Sequence, residues 1–370
     1  MNAVFGNLVG GGSFSNVYVV KQPPAQKLCC DIAVKRINIA TADTVERRAV
    51  AMELTVSSWG LKHPGLIQAM KVIVNAKFAY MFMPLAQNTL RDLTAKAEDE
   101  KELPLSNADD IFKQVLKAIK YLHKCGIVHR DIKSTNVLVD MNGKILLCDF
   151  GLSGRVNTPD TRTHLGNRIY TAREVYEIEY KYDTASDVYS AALLRVEMEK
   201  GLEGVKLYVV SRLLVPMPPP MFDLTLRMLE EEDRKQRPSA AQVLAELGEP
   251  EEEYLQPLPT EAQFADKYEQ FLKGLLEQPT VCPVSFWLRN KFQVRSGTLE
   301  RLCGSKSMTW ESFRDMNLKE FRSDPDYRTD YRKLLRAKRK LSTTAGIHQA
   351  QQDVRDFAQG NKTGGDTDSD

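Results

Sequence analysis

Apolar and polar positions along the chain change period once, close to residue 84. Before it, apolar runs at 5–9, 17–20, 32–37, 66–74 and 78–83 alternate with turn-forming residues, which predicts consecutive strands. One helix interrupts them at about 43–60, where Ala49, Met52, Val56 and Trp59 recur at three- and four-residue spacing and form one apolar stripe. From Ser106 onward the period is mostly helical, with Ile111, Val115, Ile119 and Leu122 on one face. A strand-rich first part therefore leads into a helix-rich second part, and the boundary falls at Met83-Pro84-Leu85.

A second shift follows Leu247. Gly248-Glu249-Pro250-Glu251-Glu252-Glu253, then Pro257 and Pro259, read as an acidic, stiff linker over 249–260 after one folded unit at 1–248. Residues 261–341 recover helical spacing through Phe264, Tyr268, Phe271, Leu272 and Leu275, and form a helical extension of unassigned role. Asp324-Pro325 predicts a helix start. The helix after it carries Tyr327, Tyr331, Leu334, Leu335 and Leu341 on one side, and Arg328, Arg332, Lys333, Arg336, Arg339 and Lys340 on the other. Residues 342–370 end in Asp366-Thr367-Asp368-Ser369-Asp370, and the low hydrophobicity predicts a disordered tail.

Composition narrows the setting. The 51 Lys and Arg against 49 Asp and Glu leave a net charge of +2, so only local charge can select a polyanionic partner. There is no run of eighteen apolar residues and no basic segment followed by an apolar one at the start, which argues against a membrane span and against secretion. Cys29, Cys30, Cys125, Cys148, Cys282 and Cys303 form no CxxC pair, so reduced thiols in cytoplasm or nucleus are expected and zinc is not.

Three local arrangements carry chemistry. Gly10-Gly11-Gly12-Ser13-Phe14-Ser15-Asn16-Val17 turns between two strands and not into a helix, so it is neither a P-loop nor a dinucleotide fingerprint. Glycines at 10 and 12 would let backbone N–H groups close over phosphates, although a plain glycine-rich hairpin reads equally well. Lys35, in the apolar strand Ile32-Ala33-Val34-Lys35, needs an anionic partner if buried. Lastly, Val137-Leu138-Val139 and Ile145-Leu146-Leu147 flank Asn142-Gly143, a strong hairpin signal. The hairpin sets Asn136 next to Asp149, with Asp131 five residues upstream, so two oxygen ligands converge on one hard cation.

These segments, with His129-Arg130-Asp131-Ile132-Lys133-Ser134-Thr135-Asn136, Asp149-Phe150-Gly151 and Ala172-Arg173-Glu174, resemble in order and spacing the signature set of the eukaryotic-type protein kinases, serine/threonine class. The resemblance implies an α+β, bilobal protein-kinase fold: a small antiparallel-sheet lobe with one helix (about 1–83), a larger mainly helical lobe (84–248), and here a helical C-terminal extension. It implies ATP as co-substrate, Mg2+ (or Mn2+) as cofactor, and protein serine and threonine hydroxyls as acceptors. Asp131 would take the hydroxyl proton, Lys133 would steady the transferring group, and Asn136 and Asp149 would hold the metal. Lys35 would pair with the phosphates and with a glutamate of the following helix, Glu53 or, failing that, Glu46. The nucleotide would meet Gly10, Gly12, Ser13, Val17, Ala33 and Leu138, with Phe82 as gatekeeper and backbone groups of Met83 and Leu85 offered to adenine. Asp187 resembles the aspartate that steadies the catalytic loop, and Glu174 with Arg237 a buried ion pair.

The resemblance also bears on control. Thr158, Thr161 and Thr163 are candidate phosphorylation sites, and Arg130 would pair with the phosphate. Three residues depart from the pattern: Ser15 for the third glycine, Asn167 for a threonine, and Arg173 for the proline of Ala-Pro-Glu. They keep a second function class open, a pseudokinase or weakly active scaffold binding partners through the extension. The basic helix at 328–340 is either a solvated face or a dock for an acidic or nucleic-acid partner.

Overall fold

The computed structural model describes residues 4–11, 15–21, 31–40, 42–58, 61–103, 105, 107–156, 169–176, 183–254, 256–278, 282–294, 298–299, 302, 308–318, 321 and 328–359. Strands β1 (Val4–Gly11), β2 (Ser15–Lys21), β3 (Ile32–Asn38), β4 (Lys71–Val74) and β5 (Phe78–Pro84) form an antiparallel sheet in the order β1-β2-β3-β5-β4. Helix α1 (Thr44–Ser58) packs beside it. The expected strand at 66–74 is shorter than its apolar run. Ile67 N–H donates to the Leu147 carbonyl (3.0 Å) and Leu147 N–H to the Gly65 carbonyl (2.8 Å), so the run's first half is drawn into the large lobe and only Lys71–Val74 joins the sheet.

The second lobe opens with β6 (Asn88–Thr89) and α2 (Leu90–Glu100). Thr89 accepts from Asp92 N–H and Asp92 accepts from Thr89 N–H, a reciprocal cap that starts the helix. Then come α3 (Ala108–Lys124), β7 (Ile127–Val128), β8 (Val137–Val139), β9 (Ile145–Leu147), β10 (Gly154–Arg155), α4 (Thr184–Ser211), α5 (Met221–Met228) and α6 (Ala240–Glu246). Residues 186–199 of α4 are buried without a break, as in a helix that other elements surround. The helix kinks at Gly201, whose φ of 66° favours glycine; there the Glu98 carboxylate accepts from Leu202 N–H (2.7 Å) and restarts it.

Past residue 248 the chain departs from the linker expectation. Glu249 pairs with Lys113 (3.0 Å) and Lys117 (2.7 Å), Glu252 with Lys120 (3.3 Å), and Glu251 with Lys124. These lysines recur along one side of α3, and Tyr254 sets its ring edge-on to Tyr121 (5.1 Å). The acidic segment is thus held along the large lobe by charge and stacking. It delivers α7 (Glu261–Leu276), whose Phe264, Leu272 and Leu275 are buried in the main core.

A second core follows. Helices α8 (Pro283–Phe292), α9 (Trp310–Asp315), α10 (Arg328–Lys340) and α11 (Thr344–Gln359) enclose Trp287, Phe313, Phe321, Leu334, Leu341 and Val354. The tail expectation for 342–370 therefore needs correcting at its start: Ile347, Ala350 and Val354 give α11 a buried face, and Asp353 accepts from Trp287 Nε1 (3.0 Å) and Lys291 Nζ (2.7 Å). In α10, Leu334, Ala337 and Leu341 are buried, Lys333 and Lys338 donate to the carbonyls of Gln293 and Met316, and Arg332, Arg336 and Arg339 are exposed. Asp324-Pro325 lies outside the described residues. No described helix is long and apolar enough to cross a membrane.

His63 links the lobes to the acidic segment and makes a pH test available. It is buried between the Tyr121 and Tyr254 rings, 3.5 Å from the Glu252 carboxylate, with the Lys120 and Lys144 charges nearby. Burial pushes the imidazole below its ordinary range against the pull of Glu252. The unfolded chain binds a proton at His63 near the ordinary value of about 6.5, before the folded chain does. His63 thus contributes stability that is complete above that pH and lost as pH falls through the lower folded value. Between pH 8 and pH 5 the thermal midpoint should fall more in wild type than in His63→Asn; parallel curves would contradict the assignment.

Candidate active site

Strand register decides what faces the cleft between the lobes. Residues directly opposite in an antiparallel pair share a face. Lys35 lies opposite Val17 on β2 and Met81 on β5, and Ala33 lies opposite Met83. Val17, Ala33, Lys35 and Met83 therefore occupy one face. Phe82 lies opposite Val34 on the other, so it does not share the face of Lys35 as the expected gatekeeper would, whereas Met81 and Met83 do. The hinge donor expected at Leu85 is also spent. Pro84 has no N–H, and the Leu85 N–H extends the ladder by donating to the Asp31 carbonyl (2.9 Å). Leu138, half-buried on β8, packs on the main core from the large lobe, as Val17 does from the small one. Gly10 pairs with Val17 in the β1–β2 hairpin; Gly12 and Ser13 lie outside the described residues.

Two clusters of charge meet in this cleft. In the first, the Lys35 ammonium donates to the Glu53 carboxylate and to Asp149 Oδ1 (3.0 Å). Burial opposes the charge on Lys35, but Asp149 and Glu53 outweigh it and hold the ammonium above its ordinary range. The Lys35 charge keeps the Asp149 carboxyl below the usual carboxylate range. Glu53, not Glu46, is the partner on α1. Glu46 instead accepts from the Asp43 N–H at the start of the helix (2.9 Å).

In the second cluster, Lys133 Nζ donates to Asp131 Oδ2 (2.7 Å), and Asn136 Nδ2 donates to the same oxygen (2.8 Å) and to the Asp131 carbonyl (2.9 Å). Asn136 thereby keeps its side-chain oxygen as an acceptor. The β8–β9 hairpin joins the clusters. Val137 pairs with Leu147, and the Cys148 N–H donates to the Asn136 carbonyl (2.9 Å), so Asp149 follows one residue beyond Asn136. Asp149 adopts a left-handed backbone (φ 67°), costly for a non-glycine residue and typical of functional positions. The Cys148 thiol is pushed well above its ordinary range, first by burial and then by Asp149, and stays a neutral thiol.

The loop bearing Asp131 is pinned from below. Asp187 accepts from His129 N–H (2.7 Å), Arg130 N–H (2.8 Å) and the His123 ring (3.0 Å). These bonds, those of His123 foremost, hold its carboxyl below the usual range although burial acts against them. They also fix Arg130 at φ 68°. The guanidinium of Arg130 lies flat against Gly154, where an added Cβ would sit 2.1 Å from its Cζ. A side chain at position 154 would displace the Arg130 guanidinium from this place. Arg237 grips Glu174 through both guanidinium nitrogens, as expected, and Arg173 is exposed beside the pair without disturbing it. Thr158, Thr161, Thr163 and Asn167 lie outside the described residues.

Glu197 escaped the sequence reading. Fully buried on α4, it accepts from Ser134 Oγ (2.7 Å), Thr94 Oγ1 (3.2 Å), Arg91 Nη1 (3.2 Å) and the Tyr170 hydroxyl. It ties α2 and the loop bearing Asp131 to the segment ahead of Glu174. The available signal was a carboxylate within the mostly apolar stretch 191–198, which also holds Arg195; such a carboxylate could be buried only with several donors. Glu197→Ala should cost about 3–5 kcal/mol in urea denaturation, the scale for stranding a buried charge's partners. Glu197→Gln, which keeps an acceptor oxygen, should cost less; equal losses would mean that packing and not hydrogen bonding sets the effect.

The donor types suit a small hard cation: a carboxylate from Asp149 and an amide oxygen from Asn136.

The sequence that builds this cleft is similar to known proteins. Residues 4–247 match the protein kinase domain family. The serine/threonine-protein kinase CHK1 of Saccharomyces cerevisiae is 30% identical over 205 residues, covering 52% of this chain and 38% of that protein. The mitogen-activated protein kinase HOG1 of Torulaspora delbrueckii is 30% identical over 196 residues, covering 53% and 44%. The serine/threonine-protein kinase TIO of Arabidopsis thaliana is 31% identical over 196 residues, covering 52% and 14%. The chain spans less than half the length of each of these three relatives. Since the matched span contains both lobes and every member of the two charge clusters, the chain belongs to the protein kinase family.

Proposed function

We propose that this chain is an active serine/threonine protein kinase that transfers the γ-phosphoryl group of Mg-ATP to protein hydroxyls. The observation that carries the reading is the juxtaposition of Lys35, Glu53 and Asp149 with Asp131, Lys133 and Asn136, one charged cleft in which no member is missing.

Each residue has a task in this reading. Lys35, steadied by Glu53, binds phosphate oxygens of the nucleotide. Asn136 and Asp149 hold the Mg2+ ion, which neutralises charge on the phosphates when bound. Asp131, oriented by Asn136, accepts the proton of the incoming serine or threonine hydroxyl as its oxygen attacks phosphorus and the bond to the ADP oxygen breaks. Lys133, against Asp131 Oδ2, balances charge on the phosphoryl group in transit. Positioning and electrostatics supply the acceleration. The relatives' printed names support the serine/threonine class.

Control through the activation segment belongs to the same proposal. Gly154 and Arg155 of β10 pair with Val128 and Ile127 of β7, which fixes the start of the segment under Arg130. A phosphate on Thr158, Thr161 or Thr163 would give Arg130 a dianionic partner and order what lies between. A cytoplasmic or nuclear setting accords with the free thiols of Cys125, Cys148 and Cys282.

Asp131→Asn should abolish γ-phosphate incorporation into the chain and into generic protein substrates while leaving the thermal midpoint within a few degrees of wild type. Lys35→Met should abolish incorporation as well. Mass spectrometry of wild type and Asp131→Asn after incubation with Mg-ATP measures both the loss and the modified hydroxyl. Labelling of Asp131→Asn at the wild-type rate would refute the assigned base, and absence of labelling in wild type would return the chain to the scaffold class.

A further inference from the structure

The helix that carries Glu53 is covered on more sides than its sheet can reach. On α1, residues 50–57 are buried without a break, and Arg47 in its first turns is only 1% exposed. A helix with one side in water shows burial at three- and four-residue intervals. The second cover is α7, which lies beyond the matched residues 4–247. Phe264, Leu272 and Leu275 of α7 are buried in the same core as Val50 and Leu54 of α1.

Arg47 makes the contact specific. Its Nε donates to the Ala42 carbonyl (3.1 Å), Nη2 to Ile39 (2.8 Å), and Nη1 to the carbonyls of Gln278 (2.9 Å) and Leu275. These four acceptors are all backbone carbonyls. Two belong to the stretch leading into α1, and two to the C-terminal end of α7, where final carbonyls lack partners within the helix and the helix dipole turns its negative end outward. An arginine with five donors in a fixed fork suits this geometry, and a lysine would serve fewer carbonyls.

Arg47 and Glu53 are six residues apart on one helix, about 9 Å along its axis. A short helix moves as a rod, so a grip on Arg47 is a grip on Glu53. Through Glu53 it reaches Lys35, and through Lys35 it reaches Asp149. The kinase domain alone, cut after the matched residues, would leave the guanidinium without two of its four acceptors.

We propose that α7 is a built-in clamp on α1 and that Arg47 is a positioning residue for phosphoryl transfer, acting through Glu53 on Lys35. The catalytic half of this statement rests on the kinase reading; the clamp itself does not. The acidic segment held on α3 is the strap that brings the clamp to its place.

The test compares the 370-residue wild-type chain with Arg47→Ala, Arg47→Lys and Leu275→Ala by hydrogen–deuterium exchange and by steady-state phosphoryl transfer. Arg47→Ala should speed exchange in α1 and α7 together, leave α3 and α4 protected as in wild type, and lower kcat per folded molecule about 10- to 100-fold, the scale of a misplacement of about 1 Å. Arg47→Lys should recover part of both effects. Leu275→Ala leaves the sequence of α1 untouched and should loosen α1 from the other side, so it decides the matter should Arg47→Ala fail to fold. Faster exchange in α7 with α1 unchanged would overturn the clamp. So would faster exchange spread evenly over all helices with kcat per folded molecule unchanged, the pattern of a merely structural arginine. Absence of transfer in wild type would refute the kinase reading, and the exchange pattern would still decide the clamp.

Discussion

One largely enclosed ammonium governs how the two lobes meet. Lys35 sits in an apolar strand whose neighbours Ala33, Val34 and Ile37 are buried, and a charge in such a place is tolerable only with anions in contact. The two it has come from separate elements, Glu53 from a helix of the small lobe and Asp149 from the end of a hairpin in the large lobe. Helix position, hairpin register and cleft geometry are therefore coupled through a single cation. The group also carries two carboxylates against one ammonium. That excess of negative charge is of the kind a divalent cation would offset.

The large lobe supplies the complementary constraint. Asp187 lies on a helix buried along residues 186–199 and grips two successive backbone N–H groups of the loop bearing Asp131. Glu197, ten residues along the same helix, holds Ser134 of that loop. A rigid buried helix thus fixes the loop at two points, and Asn136 closes it by bonding Asp131 twice. Left-handed backbone at Arg130 and Asp149 is sustained by these surroundings, since neither residue would hold that conformation unaided.

How much of this could be read in the sequence depends on the range of the interaction. The hairpin of Val137–Val139 and Ile145–Leu147 is local, and its turn chemistry placed Asn136 and Asp149 together correctly. The lysine's partner on α1 was also legible, because an ammonium in an apolar strand must find a carboxylate on the next element. The face taken by Phe82 was not. Phe82 and Met83 differ only in which face of β5 they occupy, and a one-residue error in register exchanges the faces. Nor was the fate of residues 249–254. Glutamate and proline in sequence signal a linker, whereas the lysines that capture them lie on α3, more than a hundred residues earlier.

The same limit of range explains α1, and it moves the boundary of the catalytic unit. Reading Ala49, Met52 and Val56 as one stripe assumes a single covering surface, yet Ala51, Leu54 and Thr55 are as deeply buried. Their apolar or small side chains point around the helix, a pattern that itself calls for a second cover. That cover lies more than two hundred residues away, beyond any local window, and Arg47 reaches it through backbone carbonyls, which no side-chain pattern can announce. Judged by motifs, the catalytic unit ends near residue 247; judged by the core, it ends with α7 at Leu276, and the helices enclosing Trp287 and Phe313 begin a separate one. The core is the better criterion, because α7 shares the core of the helix holding Glu53 and accepts hydrogen bonds from its Arg47.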